Sequence, residues 1–238
     1  MNQIKLLLPV VLFNLVWGCA NLQGQKGDNT GASTNRSANY PPSDGLPKDE
    51  KLAAKLHKQA CDNGNMLGCN NLGESYLSGK GVPKNHVTAV EFYKKACDGG
   101  YVESCARLGE LYEKGEGVLQ DYASAAGFYT RACDGEVWMW CKHAAEIYMF
   151  GKGLPPALEL GIQLYRKACD GGYVESCAAL GMIYSIGSGA TKDQGMAATP
   201  KLKQACQNLG GCTTKEAKRL LQKACEGGVE RACGRVLK

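Results

Sequence analysis

Cysteine is the residue whose number and spacing could do most chemistry in this chain, with 13 among 238 residues. A thiol can act as a nucleophile, ligate a metal or close a disulfide, and the intervals between the cysteines separate the three. Cys61 and Cys69, Cys97 and Cys105, Cys133 and Cys141, Cys169 and Cys177, and Cys225 and Cys233 each enclose seven residues, whereas Cys206 and Cys212 enclose five. Zinc sites use knuckles of two or four residues with histidines nearby, and neither interval occurs between these cysteines. His57, His86 and His143 do not share a repeat position and read as surface or groove residues. Neither a metal nor another cofactor is therefore expected. Regular cysteine pairs on an exported chain read as disulfides, and twelve paired cysteines leave no thiol nucleophile.

The elements that must position these cysteines recur with a period of 36 residues. Tyr93-Lys94-Lys95-Ala96-Cys97-Asp98-Gly99 returns as Tyr129 to Gly135 and again as Tyr165 to Gly171. A fixed period of this size marks a stacked repeat array. In the unit spanning 83–118, Asn85 can cap a helix whose apolar residues Val87, Val90, Phe92, Tyr93 and Ala96 follow helical spacing. Gly99 and Gly100 stop it, a second helix runs from about Val102 to Glu113, and Gly115 and Gly117 end that one. Two helices joined by so tight a turn lie antiparallel. Cys97 and Cys105 then face each other across the hairpin at a distance a disulfide can span. Closing a loop of about nine residues stabilises each hairpin by about 2.5 kcal/mol in the chain-entropy model.

The fold class read from this pattern is all-α, an α-α solenoid of about five to six disulfide-stapled helix-turn-helix repeats. The units cover about 49–82, 83–118, 119–154 and 155–190, with irregular C-terminal units over 191–238. Phe92, Phe128 and Leu164 share one position, Tyr93, Tyr129 and Tyr165 the next, and Tyr76, Tyr112, Tyr148 and Tyr184 another. Aromatic residues at recurring positions are what neighbouring units pack on. Trp138, Met139 and Trp140 stand where the preceding unit has Val102, Glu103 and Ser104. They form either part of that packing or an exposed partner patch.

The pattern breaks after Tyr184, where Cys206 arrives one residue late behind a Gly/Ser/Ala-rich passage from Gly187 to Thr199. Cys225 comes only 13 residues after Cys212, so the fifth unit is expected to lack its second helix. Lys215 to Cys225 reads as a helix and Glu230 to Leu237 as a short closing one, together either an eroded cap of the kind that ends repeat arrays or a partner-specific surface.

At the other end, residues 1–19 carry one charge, Lys5, and an apolar run from Leu6 to Trp17 too short to anchor a protein across a bilayer. They read as a secretory signal. Val16-Trp17-Gly18-Cys19 resembles a lipoprotein box, in which Cys19 would carry the lipid and attach the chain to a membrane. Gly18-Cys19-Ala20 equally offers the small residues an ordinary signal peptidase reads. Residues 20–48, rich in Gly, Asn, Ser, Thr and Pro, read as a flexible linker, either a tether or a plain disordered terminus. The expected location is exported: periplasmic, anchored to the outer membrane, or secreted. The net charge of +5, or +4 without Lys5, comes with no long Lys/Arg run, so nucleic acid is not expected as a partner.

Ala89-x-x-Phe92-Tyr93-x-x-Ala96 followed by Leu108-Gly109-x-x-Tyr112-x-x-Gly115-x-Gly117-Val118 resembles the Sel1-like repeat, a relative of the tetratricopeptide repeat. With cysteines where the two helices touch, the chain is similar to the Helicobacter cysteine-rich proteins over about residues 50–238. The resemblance implies helix pairs stacked right-handedly around a concave groove. Members of that family are commonly labelled β-lactamases, so penicillin binding and slow hydrolysis are implied too. The residues offer that chemistry no support: Ser-x-x-Lys, Lys-Thr-Gly and His-x-His-x-Asp are all absent. The catalytic residues of any such activity are unknown. The expected function is a binding scaffold whose groove takes a protein, a peptide or a cell-wall (peptidoglycan-derived) fragment, with weak β-lactam hydrolysis as the alternative.

Overall fold

The structure is a computed structural model that describes residues 49–188 and 200–236. All regular elements among these residues are helices. They run α1 Glu50–Asp62, α2 Met66–Ser78, α3 His86–Asp98, α4 Val102–Lys114, α5 Tyr122–Asp134, α6 Trp138–Phe150, α7 Leu158–Asp170, α8 Val174–Gly187, α9 Pro200–Asn208, α10 Thr214–Glu226 and α11 Glu230–Val236. Short polar side chains set the starts. Asp49 accepts from the Lys51 amide at 2.9 Å, Asn85 from Thr88 at 3.1 Å and Thr213 from Glu216 at 3.2 Å, each satisfying an N–H the helix itself leaves orphaned. Gly79, Gly115 and Gly151 close α2, α4 and α6 with φ of 80°, 75° and 63°, a conformation other residues adopt at a cost.

Within each unit a disulfide joins the end of the first helix to the start of the second. Cys61–Cys69, Cys97–Cys105, Cys133–Cys141 and Cys169–Cys177 are closed, and Cys225–Cys233 closes the α10–α11 hairpin in the same way. The sulfurs of the first four pairs are almost wholly buried, so each bridge also fills the space between its two helices. Units stack because every second helix packs on the next first helix. Tyr76 lies flat on Phe92 with ring centroids 5.7 Å apart, and Tyr112 on Phe128 at 5.3 Å. A second tie is electrostatic. Lys95 Nζ donates to the Cys61 carbonyl at 3.1 Å and Arg131 Nη2 to the Cys97 carbonyl at 3.0 Å, placing a cation at the negative end of the preceding first helix.

These ties explain the irregular C-terminal part differently from the sequence expectation of a fifth unit lacking its second helix. α8 packs along α10, as α2 packs on α3 and α4 on α5, while α9 makes lesser contacts with α7 and α8. Lys223 on α10 donates to the Cys169 carbonyl at 2.8 Å, the bond Lys95 and Arg131 make three and two units earlier. A Cβ on Gly227 would lie 2.4 Å from Val174, as one on Gly135 would from Val102. So α10 and α11 are the first and second helices of the fifth unit, and α9 with its Cys206–Cys212 bridge lies outside the stack. The sequence agrees with this division. Gly187-Ser188-Gly189-Ala190-Thr191-Lys192 matches the exit Gly79-Lys80-Gly81-Val82-Pro83-Lys84, and Thr213 then stands for Asn85. Residues 193–212 are thus a 20-residue insertion, which accounts for the spacing of 56 instead of 36 between Cys169 and Cys225.

Candidate binding face

The repeat places the residue four before each first-helix cysteine beside the second helices on either side. In the first unit this residue is His57. It lines a cleft of about 230 Å³ with Ala53 of α1 and Asn71, Glu74, Ser75 and Ser78 of α2. Burial holds its imidazole below the ordinary histidine range.

One unit on, the position is Tyr93, fully buried with its ring against Gly73. Its hydroxyl donates to Glu74 Oε2 at 2.7 Å. Burial, then the bond to Glu74, pushes its phenol far above the usual tyrosine range, with the charges of Arg107 and Glu110 also acting on it. Arg107 Nη1 in turn holds Glu110 Oε2 at 3.0 Å. In the third unit Tyr129 donates to Glu113 Oε2 at 2.8 Å, and Lys152 stands 3.9 Å from the same carboxylate. Trp140 stacks on Tyr129 with centroids 5.1 Å apart, and His143 lies 5.6 Å from Tyr129. In the fourth, Tyr165 is buried, and the charge of Glu146, itself 3.2 Å from Lys142, reaches it.

A connected strip therefore crosses four units on a constant frame of buried tyrosines. Its chemistry changes along the way. Two residues past the second cysteine come Asn71, Arg107, His143 and Ala179; five past it Glu74, Glu110, Glu146 and Met182; nine past it Ser78, Lys114, Phe150 and Ile186. The strip is thus amide and carboxylate at one end, mixed in charge in the middle, and apolar further on. Phe150 is 55% exposed there.

The Sel1 repeat model matches residues 41–65, 67–101, 102–136, 141–173, 174–198 and 214–229, well over half of the chain. The chain belongs to the Sel1 repeat family. A Sel1 repeat protein from Oxalobacter formigenes is similar in structure, with a TM-score of 0.56 and 24% identity over 79% of this chain and 69% of that one. So is c5321, a protective antigen of uropathogenic Escherichia coli with an SLR fold, with a TM-score of 0.54 and 23% identity over 79% of this chain and 44% of that one. Helicobacter pylori cysteine rich protein B is 28% identical over 56% of this chain and 96% of that one, with a TM-score of 0.43. Among curated proteins no sequence matches. Sel1 repeats typically build scaffolds for contact between proteins, and the first two likenesses show the same fold.

On the Sel1 frame the three residues singled out in α6 part company. Trp138 opens α6 and lies where a Cβ on Gly171 would sit, 2.4 Å from its ring, the packing role of Val102 and Val174 in other units. Trp140 is half-buried between Tyr129 and His143. Met139 is 40% exposed. His86 faces Glu116 across 3.8 Å. Cys19 lies outside the described residues. Among the described residues no three His, Cys, Asp or Glu side chains gather as a metal requires, and no helix is long and apolar enough to cross a membrane. Six intrachain disulfides belong to an oxidising compartment.

The strip itself was missed by motif reading. Its signal was there in Glu74, Glu110 and Glu146, which stand exactly one period apart on an otherwise exposed or half-buried row.

Proposed function

We propose that this chain is an exported scaffold that holds a peptide segment of another protein along the strip from Glu74 to Phe150. One observation carries the reading. The frame of glycine, tyrosine and cysteine repeats with little change, while the residues it presents at the strip differ from unit to unit. A surface kept only for solubility has no need of graded chemistry, whereas a segment read residue by residue does. Extended surfaces made of repeats are generally binding surfaces. The six disulfides support export, and in the lipoprotein reading of the leader Cys19 with residues 20–48 supplies a tether. A cell-wall fragment presents similar amide and carboxylate groups and is the competing ligand.

The test uses a displayed random peptide library selected on the oxidised full chain, with soluble peptidoglycan fragments as competitor. Selected peptides should lose at least tenfold in affinity on Arg107→Glu and on Phe150→Ala. They should be unaffected by Glu91→Lys, which sits 200° around α3 from Tyr93 by helical geometry. Peptides indifferent to both strip variants, or displaced stoichiometrically by the fragments, would overturn the reading.

A further inference from the structure

The row of residues near the end of each second helix is open in three units and shut in the fourth. Ser78 and Lys114 are exposed and Phe150 is 55% exposed, whereas Ile186, one unit on, is 5% exposed. The second residue of each first helix behaves alike: Lys51, Val87 and Ala123 are exposed, but Glu159 is half-buried. A further unit follows the fourth as units follow the others, so the stack does not account for the difference. Among the described residues, what the fourth unit alone carries is α9, packed against α7 and α8. Ile186 lies in the same buried cluster as Leu202, Ala205 and Cys206, and Asn208 Nδ2 donates to Glu159 Oε1 at 3.1 Å.

The end of α8 is rebuilt to take this helix. Gly79, Gly115 and Gly151 end their helices with positive φ, but α8 runs on through Gly187 and closes on Ser188 in the right-handed region. A Cβ on Gly187 would lie 2.5 Å from Cys206 Sγ, so the Cys206–Cys212 bridge sits directly on the helix. The strip, continued past Phe150 into the fourth unit, therefore meets α9. Charge changes sign at the same place. Residues 49–188 carry 14 Lys and Arg against 17 Asp and Glu, and residues 200–236 carry eight against three. On α9 itself Lys201 and Lys203 are exposed, and the helix holds no acidic residue.

We infer, on the peptide reading of the strip, that α9 is the stop at which the strip ends and that the segment held there is the carboxyl-terminal end of its protein. The last side chain is apolar and rests on Phe150 and the half-buried Met182, and the terminal carboxylate meets Lys201 and Lys203. An internal loop has to run on past Phe150, into the space α9 fills, so the chain that fits is one that finishes there. Two ammonium groups favour a carboxylate as that end, since an amino terminus adds a like charge.

The experiment selects peptides on the oxidised full chain from a library displayed with free carboxyl termini. One peptide is then made as the free acid, as the carboxyl-terminal amide, with a Gly-Ser tail after its last residue, and with the same tail before its first. Affinity should fall at least fivefold for the amide and at least tenfold for the carboxyl-terminal tail, and stay unchanged for the amino-terminal tail. Lys201→Glu combined with Lys203→Glu should bind acid and amide equally. Deleting residues 193–212 should let the carboxyl-terminal tail bind as well as the free acid. A carboxyl-terminal tail tolerated by the full chain, while Arg107→Glu still costs tenfold, would overturn the stop and leave the strip standing. So would a tail rejected by the full chain and the deletion variant alike, or an acid still preferred to the amide by the double lysine variant. Indifference to Arg107→Glu would instead overturn both readings.

Discussion

Deleting residues 193–212 removes the insertion in frame and joins Lys192 to Thr213, the junction that Lys84 makes with Asn85. If α10 follows α8 directly in the stack, the helical stack should survive. Among the described residues what is lost is the burial of Leu202, Ala205 and Cys206, all 5% exposed or less in α9, at about 3–4 kcal/mol together, with the hydrogen bond from Asn208 to Glu159 at 3.1 Å contributing little at an exposed site. Against this, the connection between Gly187 and Thr213 shortens from 25 residues to five, returning about 1.4 kcal/mol of closure entropy. The Cys206–Cys212 bridge constrains only the insertion. The net loss is about 2 kcal/mol, a fall of roughly 4–8 °C in melting temperature for a domain of this size. Thermal melts followed by circular dichroism give the shift, and thiol titration of the unfolded, unreduced chain reports whether Cys225 and Cys233 are still paired. Leu221→Ala in α10, a residue 3% exposed, is the control and should cost about 2–5 kcal/mol. A deletion variant that loses more than Leu221→Ala, or in which Cys225 and Cys233 react, would refute the assignment of α10 and α11 as the fifth unit.

Replacing Cys97 and Cys105 together by alanine should cost about 2.5 kcal/mol, read from denaturant midpoints, and a loss below about 0.5 kcal/mol would deny the bridge its stapling role. Tyr93, Tyr129 and Tyr165 keep their protons in the folded chain above the range where free phenols ionise, through burial first and then, for the first two, the bonds to Glu74 and Glu113. The unfolded chain releases these protons above about pH 10, so stability should be flat below that pH and fall above it by up to about 1.4 kcal/mol per pH unit for each phenol; absorbance at 295 nm showing the three ionising with the surface tyrosines before unfolding would contradict this. Oxidised protein should hydrolyse nitrocefin no faster than buffer, and turnover abolished by a single substitution on the strip would require a catalytic group there.

The 36-residue period made the helix pairs legible because each unit is built by local rules: a capping Asn or Asp, helical apolar spacing, and a closing glycine. The hairpin cysteines were legible for the same reason, since seven intervening residues match a tight turn between antiparallel helices. The place of α9 was not. Cys206 falls only one residue from the position the period assigns to a first-helix cysteine, and nothing local to α9 distinguishes an insertion from an eroded unit. Only contacts between distant residues, such as Lys223 with the Cys169 carbonyl, decide it. Trp138 and Trp140 looked like one patch in sequence because neighbours along a helix are easily read together. Successive residues point 100° apart, so one packs on Gly171 and the other on Tyr129. The strip stayed hidden because it joins residues from four units, Glu74 to Tyr93 and Glu113 to Tyr129 across 19 and 16 positions, and no short motif spans such distances.

Crosslinking of a selected peptide to benzophenone placed at position 107 or at position 91 tests the central claim most directly. Binding along the strip predicts efficient crosslinks from position 107 and none above background from position 91. Equal crosslinking from both, or crosslinking from position 91 alone, would contradict it.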